Sequence, residues 1–250
     1  MTDAAIAITA LHKSFGAFVA LNDVNLSIPA GQRRAIIGPN GAGKSTLLNV
    51  LNGQLPCQEG SIHLFGRDVT KATPHELARL GIGRTFQISS TFRHLSVEEN
   101  VRVAHLARVR RVFSPFPGHL RALKDAVAAS LDDSGLSQFA RVRVSDLSHG
   151  DRKKLELAMA LATRPRVLLL DEPTAGMGLA ERQELMDLVV RHVARDNLTM
   201  IFVEHDIEAV FRHADLITVM AAGTVFAEGT PAEISTNPEV QRIYLGSHAP

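Results

Sequence analysis

The stretch Gly38-Pro39-Asn40-Gly41-Ala42-Gly43-Lys44-Ser45 fits the spacing G-x-x-x-x-G-K-[ST], which wraps nucleotide phosphates. Its flanks have the required form. Arg33-Arg34-Ala35-Ile36-Ile37 reads as a short buried strand entering the loop, and Ser45-Thr46-Leu47-Leu48-Asn49-Val50-Leu51 as a helix leaving it. Glycines permit positive φ and close backbone approach, so successive amides can point at phosphate oxygens beside the positive end of the helix dipole. Lys44 is then placed to reach the β- and γ-phosphates and the Ser45 hydroxyl to bind Mg²⁺. The candidate nucleotide site thus runs from Gly38 to Thr46. A glycine-rich turn before a helix needs no ligand by itself; here the strand and the helix on either side favour one.

A second element points to hydrolysis rather than passive binding. Val167-Leu168-Leu169-Leu170 is a continuous apolar run, as expected of a parallel strand covered on both faces, and it ends in Asp171-Glu172. Carboxylates there lie at the rim where α/β sheets bind ligands. Asp171 suits a water-mediated contact to Mg²⁺, and Glu172 is placed to polarise an attacking water. In isolation an acidic pair before Pro173 merely stops a strand.

The third element is Leu147-Ser148-His149-Gly150-Asp151, which precedes a helical run from Lys153 to Thr163. Ser148 and Asp151 have capping-box spacing, so this helix also offers free amides at its N-terminus. The segment resembles the LSGGQ signature of ABC ATPases, with His149 and Asp151 in place of the middle Gly and the Gln. Three more matches follow in the order of that family. Phe15 stands where an aromatic ring stacks on adenine, Gln87 matches the glutamine that helps to hold Mg²⁺, and His205 matches the switch histidine that contacts γ-phosphate.

The resemblance covers nearly the whole chain, and its ends narrow it. Asp171-Glu172-Pro173-Thr174-Ala175-Gly176-Met177, Val203-Glu204-His205-Asp206, the tail Ala227-Glu228-Gly229-Thr230-Pro231 and Tyr244-Leu245-Gly246 look like the ATPase subunits of branched-chain amino-acid ABC importers. Lipopolysaccharide-export ATPases share parts of that tail. The chain departs from many ABC ATPases at Gly178, where they carry an aspartate.

The resemblance implies an α/β fold: a P-loop NTPase core with an antiparallel β-subdomain and a helical subdomain. Residues 1–86 and 165–250 would form the core and β-subdomain, and 87–164 the helical part. It implies two subunits, identical or paralogous, closing head to tail with ATP between the phosphate loop of one and Ser148 and Gly150 of the other. Glu172 would orient water, His205 and Lys44 would stabilise charge on the phosphoryl group, and Ser45, Gln87 and Asp171 would hold Mg²⁺. A membrane permease would be a direct partner and a periplasmic solute-binding protein an indirect one, with the chain at the cytoplasmic face of the inner membrane. An exporter ATPase and a soluble ABC ATPase without a transport role stay open as alternatives.

Composition sets limits on the rest. At 250 residues with 45% hydrophobic content, the chain can bury a large core but is too short for two cassettes. A net charge of +1 argues against a nucleic-acid partner. The single cysteine, Cys57, excludes an intramolecular disulfide, and no apolar run is long enough to span a membrane. Eleven scattered histidines read as surface residues rather than a metal site. No N-K-x-D guanine reader is present, and a GTPase would leave the LSHGD segment unexplained.

The pattern from Ile6 to Ile28 and at Ser61–Phe65 predicts antiparallel strands. Ser96-Val97-Glu98-Glu99 predicts a capped helix through His105 or beyond, and Leu120 to Ser130 another, with a loop over Phe113-Ser114-Pro115-Phe116-Pro117-Gly118 between them. Strands at Val167–Leu170 and Leu198–Val203 then alternate with helices at Leu179–Arg195 and Asp206–His213, before a hairpin through Ala221-Ala222-Gly223. The basic residues Arg102, Arg108, Arg110, Arg111, Arg121 and Lys124 read as a solvated helix face. Phe113 and Phe116 beside them mark a contact site for a membrane-embedded partner.

Overall fold

The computed structural model describes residues 4–85, 91–108 and 117–245. Strands β1 (Ala4–Phe15) and β2 (Phe18–Pro29) pair antiparallel, with Ile6 opposite Ile28 and Ile8 opposite Leu26. After β3 (Arg33–Ile37) and helix α1 (Lys44–Leu51), β4 (Glu59–Leu64) and β5 (Arg67–Asp68) complete an antiparallel sheet of order β2-β1-β4-β5.

The chain continues through α2 (Pro74–Leu80), β6 (Ile82–Thr85), α3 (Val97–Arg108), α4 (Pro117–Asp133), α5 (His149–Ala162) and β7 (Val167–Asp171). Then follow α6 (Leu179–Arg195), β8 (Thr199–Val203), α7 (Ile207–His213), β9 (Leu216–Ala221), β10 (Thr224–Gly229), α8 (Pro231–Thr236) and α9 (Pro238–Leu245). The second sheet has the order β10-β9-β3-β8-β7-β6. Its pairings are parallel from β9 to β6, and the hairpin strand β10 joins antiparallel at the edge.

Successive residues of β7 and β8 point to opposite faces, so an unbroken apolar run buries both. On one face Leu169, Ile201 and Val203 pack with Leu47, Leu48 and Leu51 of α1 and with Ile6 and Leu21 of the antiparallel sheet. On the other, Leu168, Leu170 and Phe202 pack with Leu185, Val189 and Val193 of α6. A third cluster joins Val97 and Val101 of α3, Val127 and Leu131 of α4 and Leu155 of α5.

The capping box at α3 forms as its spacing predicts: Ser96 N–H donates to Glu99 Oε2 at 2.7 Å, and Glu99 N–H to Ser96 Oγ at 3.2 Å. Three expectations need correction. Pro117 and Gly118 open α4 rather than sit in a loop, because proline suits a first helical turn whose N–H groups lack intrahelical acceptors. Helix α5 starts at His149, not Lys153, since Ser148 itself caps it. His192 and His213 are buried, 6% and 5% exposed, on the inner faces of α6 and α7. The predicted loop residues Phe113 and Phe116, with Arg110 and Arg111, lie outside the described residues.

Candidate functional site

Strand β3 delivers the chain into the glycine loop, and two glycines there are fixed by packing. A Cβ at Gly38, φ +152°, would lie 2.1 Å from the Met220 carbonyl, and one at Gly43, φ +99°, 2.4 Å from the Ala20 carbonyl. Only glycine lets strands β9 and β2 approach the loop this closely. Gly41, φ +80°, instead has open space where a Cβ would be, so its glycine serves conformation alone. Asn40 and Gly41 are exposed, Pro39 is half-buried and Ala42 is buried.

Lys44 is curled over the loop, its Nζ donating to Gly38 O at 2.8 Å and Pro39 O at 3.0 Å. Burial lowers its pKa, against the opposing pull of Glu172 and Asp171. Ser45 and Thr46 lie half-buried on the first turn of α1. The Ser45 hydroxyl donates across to Asp171 Oδ1 at 3.4 Å. A hydroxyl and a carboxylate oxygen facing each other form a donor set suited to a hard divalent cation.

Asp171 ends β7 and is 3% exposed. Its other oxygen, Oδ2, accepts from Arg84 Nη2 at 3.0 Å, while Arg84 Nη1 donates to Asn49 Oδ1 at 2.7 Å and Gln54 Oε1 at 2.8 Å. Burial depresses the Arg84 pKa, and Asp171 opposes this. Next along the chain Glu172 takes a left-handed backbone, φ +48°. Its Oε1 is 2.9 Å from His205 Nε2; a carboxylate only accepts, so this ring nitrogen carries the proton when the carboxylate is ionised. Strand β8 brings His205 there, because Asp171 pairs with Val203 in parallel register.

Glu204, 4% exposed, turns inward and accepts from both the N–H of Thr174 at 3.0 Å and its hydroxyl at 2.7 Å. Burial raises the Glu204 pKa, partly offset by these hydrogen bonds. Phe15 stands at the end of β1, 46% exposed, with the Lys13 ammonium 5.1 Å from its ring centroid.

Lys44, Ser45, Asp171, Glu172 and His205 are therefore brought to one rim. Among the described contacts, Ser148 and Gly150 do not join them. Ser148 Oγ accepts from Asp151 N–H at 3.1 Å and donates to Asp151 Oδ2 at 2.6 Å, and Gly150 is buried beside Glu181 and Met177. Gly178 caps α6 with its N–H donated to Glu181 Oε2 at 3.1 Å. Gln87 lies outside the described residues. Arg84 and Glu204 are site residues that reading the sequence missed. Arg84 carries no local sequence signal, because its partner Asp171 is brought to it by the pairing of β6 with β7.

Beside β6, a groove of about 380 Å³ opens between α2, α3 and α5, lined by Ile82, Val103, Ala107 and Met159. Thr91 forms part of its wall. Among the described residues, no helix is long and apolar enough to cross a membrane.

The ABC transporter family model matches residues 21–175, and that of the branched-chain amino acid ATP-binding cassette transporter matches residues 224–250. The high-affinity branched-chain amino acid transport ATP-binding protein LivG of Salmonella typhimurium is 37% identical over 253 residues, which cover 98% of this chain and 99% of that protein. A crystal structure of the ADP conformation of an ATP-binding cassette of an ABC transporter superposes with a TM-score of 0.85 at 30% identity, over 97% of this chain and 99% of that one. A dimeric cassette in a post-hydrolysis state, bound to ADP and phosphate, superposes with a TM-score of 0.79 at 26% identity, over 90% of this chain and 98% of that one. With its phosphate loop, its Asp171-Glu172 rim and likeness along almost its full length, the chain belongs to the ABC transporter family.

Proposed function

We propose that this chain is the ATP-hydrolysing subunit of an importer for branched-chain amino acids. The observation that carries the chemistry is the convergence of Ser45, Asp171, Glu172 and His205 on one rim beside Lys44. The solute follows from LivG and from the branched-chain family match over residues 224–250.

In this reading ATP lies along Gly38–Thr46 with its adenine on Phe15. Lys44 exchanges the carbonyls of Gly38 and Pro39 for phosphate oxygens, which return the charge that burial disfavours. Ser45, Asp171 and Gln87 would hold Mg²⁺, which would supply neutralisation of the phosphate charge. Arg84 keeps one Asp171 oxygen engaged and leaves Oδ1 toward Ser45. Glu172 accepts the proton of the attacking water, and His205 steadies that carboxylate and then the γ-phosphate. Catalysis of this kind is positioning and electrostatics.

Ser148 and Gly150, which make no described contact with their own phosphate loop, complete the site of a second subunit. The dimeric cassette supports the pairing of two subunits. The groove beside β6 receives a permease at the cytoplasmic face of the membrane, and a periplasmic binding protein delivers solute to that permease. Core and helical parts, divided near residues 86 and 165, shift against each other as ATP binds and leaves. Reconstitution with the permease and binding protein in proteoliposomes tests the reading: ATP-driven uptake of leucine, isoleucine or valine is expected. Uptake of urea or an amide instead would reassign the solute.

A further inference from the structure

The turn after Glu172 is held at successive positions. Ala175 N–H donates to Glu172 O at 3.1 Å and Met177 N–H to Thr174 O at 3.2 Å. Glu204 grips Thr174, and Arg182 Nε donates to Met177 O at 2.7 Å. These partners belong to the turn itself, to α6 or to the end of β8. Among the described hydrogen bonds, one further contact to the turn comes from α5: His149 Nε2 lies 3.0 Å from the Ala175 carbonyl. A carbonyl only accepts, so Nε2 carries the proton and donates. Gly176, φ +78°, serves the left-handed backbone of the turn beside the ring; a Cβ there would make only ordinary contact with Nε2, at 3.4 Å.

His149 is the first residue of α5, between Ser148 and Gly150. Further along that helix, Leu155 and Ala158 belong to the cluster built with Val97, Val101 and Val127. This hydrogen bond, beside the packing of Leu157 and Ala160 of α5 in one cluster with Met177, ties the helical cluster to the turn that carries Glu172. Glu172 holds a left-handed backbone, which a non-glycine residue keeps only when its surroundings impose it. Displacement of the α5 N-terminus would load that turn through Ala175. Gly178 adds no side chain to the same turn.

We infer that His149 is a positioning residue that couples the placement of Ser148–Gly150 to that of Glu172 within one subunit. The inference rests on the ATPase reading above. In a dimer it links the segment facing the partner's nucleotide to the hydrolytic carboxylate of the same chain, so that each site senses whether the other is closed.

The test uses the purified full chain, with His149→Phe to keep a ring without a donor and His149→Gln to restore an N–H donor. His149 is exposed, so neither change opens a cavity. Steady-state ATPase is measured against ATP concentration, and trinitrophenyl-ATP affinity separately. His149→Phe is expected to lower kcat about twofold to thirtyfold, the span of coupling carried by such networks. Its Hill coefficient falls toward unity, its affinity for the analogue stays parental, and His149→Gln recovers most of kcat. Parental kcat and Hill coefficient in His149→Phe would overturn the inference alone, as would failure of His149→Gln to rescue. Affinity falling in step with kcat would make His149 a nucleotide contact instead, and a parent without ATPase would overturn this inference together with the reading beneath it.

Discussion

Arg84 and Asp171 form an ion pair almost sealed from solvent, Nη2 to Oδ2 at 3.0 Å, with side chains 5% and 2% exposed. They come from adjacent parallel strands, β6 and β7, in which Arg84 lies opposite Leu169. The pair fixes the carboxylate that faces Ser45. Removing one partner leaves a buried charge uncompensated, at a cost of about 3–5 kcal/mol. Arg84→Met is therefore expected to lower the urea midpoint strongly, with Arg84→Lys retaining part of the loss. A parental midpoint for Arg84→Met would mean that the pair contributes nothing net.

Binding and turnover should separate between two residues of the rim. Lys44→Ala deletes the charge that faces the phosphates and is expected to weaken ATP binding itself. Glu172→Gln keeps the shape of the side chain but not its basicity, so binding stays intact while turnover drops by about 10²-fold or more. Titration with a fluorescent ATP analogue and a steady-state ATPase assay distinguish the two. Parental affinity in Lys44→Ala counts against the phosphate-loop assignment, and parental turnover in Glu172→Gln removes Glu172 as the base.

Glu204 makes stability depend on pH. Burial holds its pKa above the ordinary value, so between that value and the raised one the folded chain binds more protons than the unfolded chain. This contribution is fully present below the ordinary glutamate pKa and is lost as pH rises through the folded pKa. Glu204→Gln cannot titrate there and lacks the slope. Urea midpoints of parent and variant, compared from mildly acidic to mildly alkaline buffer, should show the parent losing ground to the variant as pH rises. A constant gap would refute the linkage.

What the sequence made legible was local or periodic. The phosphate loop needs its glycines and lysine at fixed spacing, and β7 and β8 announce burial on both faces by runs without a polar residue. The start of α3 was readable because its capping box is short-range chemistry. Arg84 was not readable as a site residue, because its partner Asp171 lies 87 positions on and only sheet pairing brings them together. His192 and His213 looked like surface residues for the same reason: burial is decided by which face of α6 or α7 meets the sheet. Pro117 reads as a loop residue in isolation, yet it suits a first helical turn equally well.

Coupling to a membrane partner is expected at residues 89–95, just after Gln87. Of these, Thr91–Leu95 are described. Asn100, fully buried, accepts from Phe92 N–H at 2.7 Å and donates its Nδ2 to Phe92 O at 3.1 Å, which fixes the backbone there. The Phe92 side chain gains nothing from this, for the residue stays 50% exposed next to Thr91, which lines the groove beside β6. A large ring held outward on a braced backbone is the form of an interface anchor, and losing such an anchor costs about 2 kcal/mol or more. Phe92→Asp is thus expected to cut solute uptake by the reconstituted complex about thirtyfold, while the isolated subunit keeps its basal ATPase, because Phe92 touches none of Lys44, Ser45, Asp171, Glu172 or His205 among the described contacts. If uptake and ATPase fall together, the segment belongs to the catalytic fold; if neither moves, the permease docks elsewhere and the groove loses its assigned occupant.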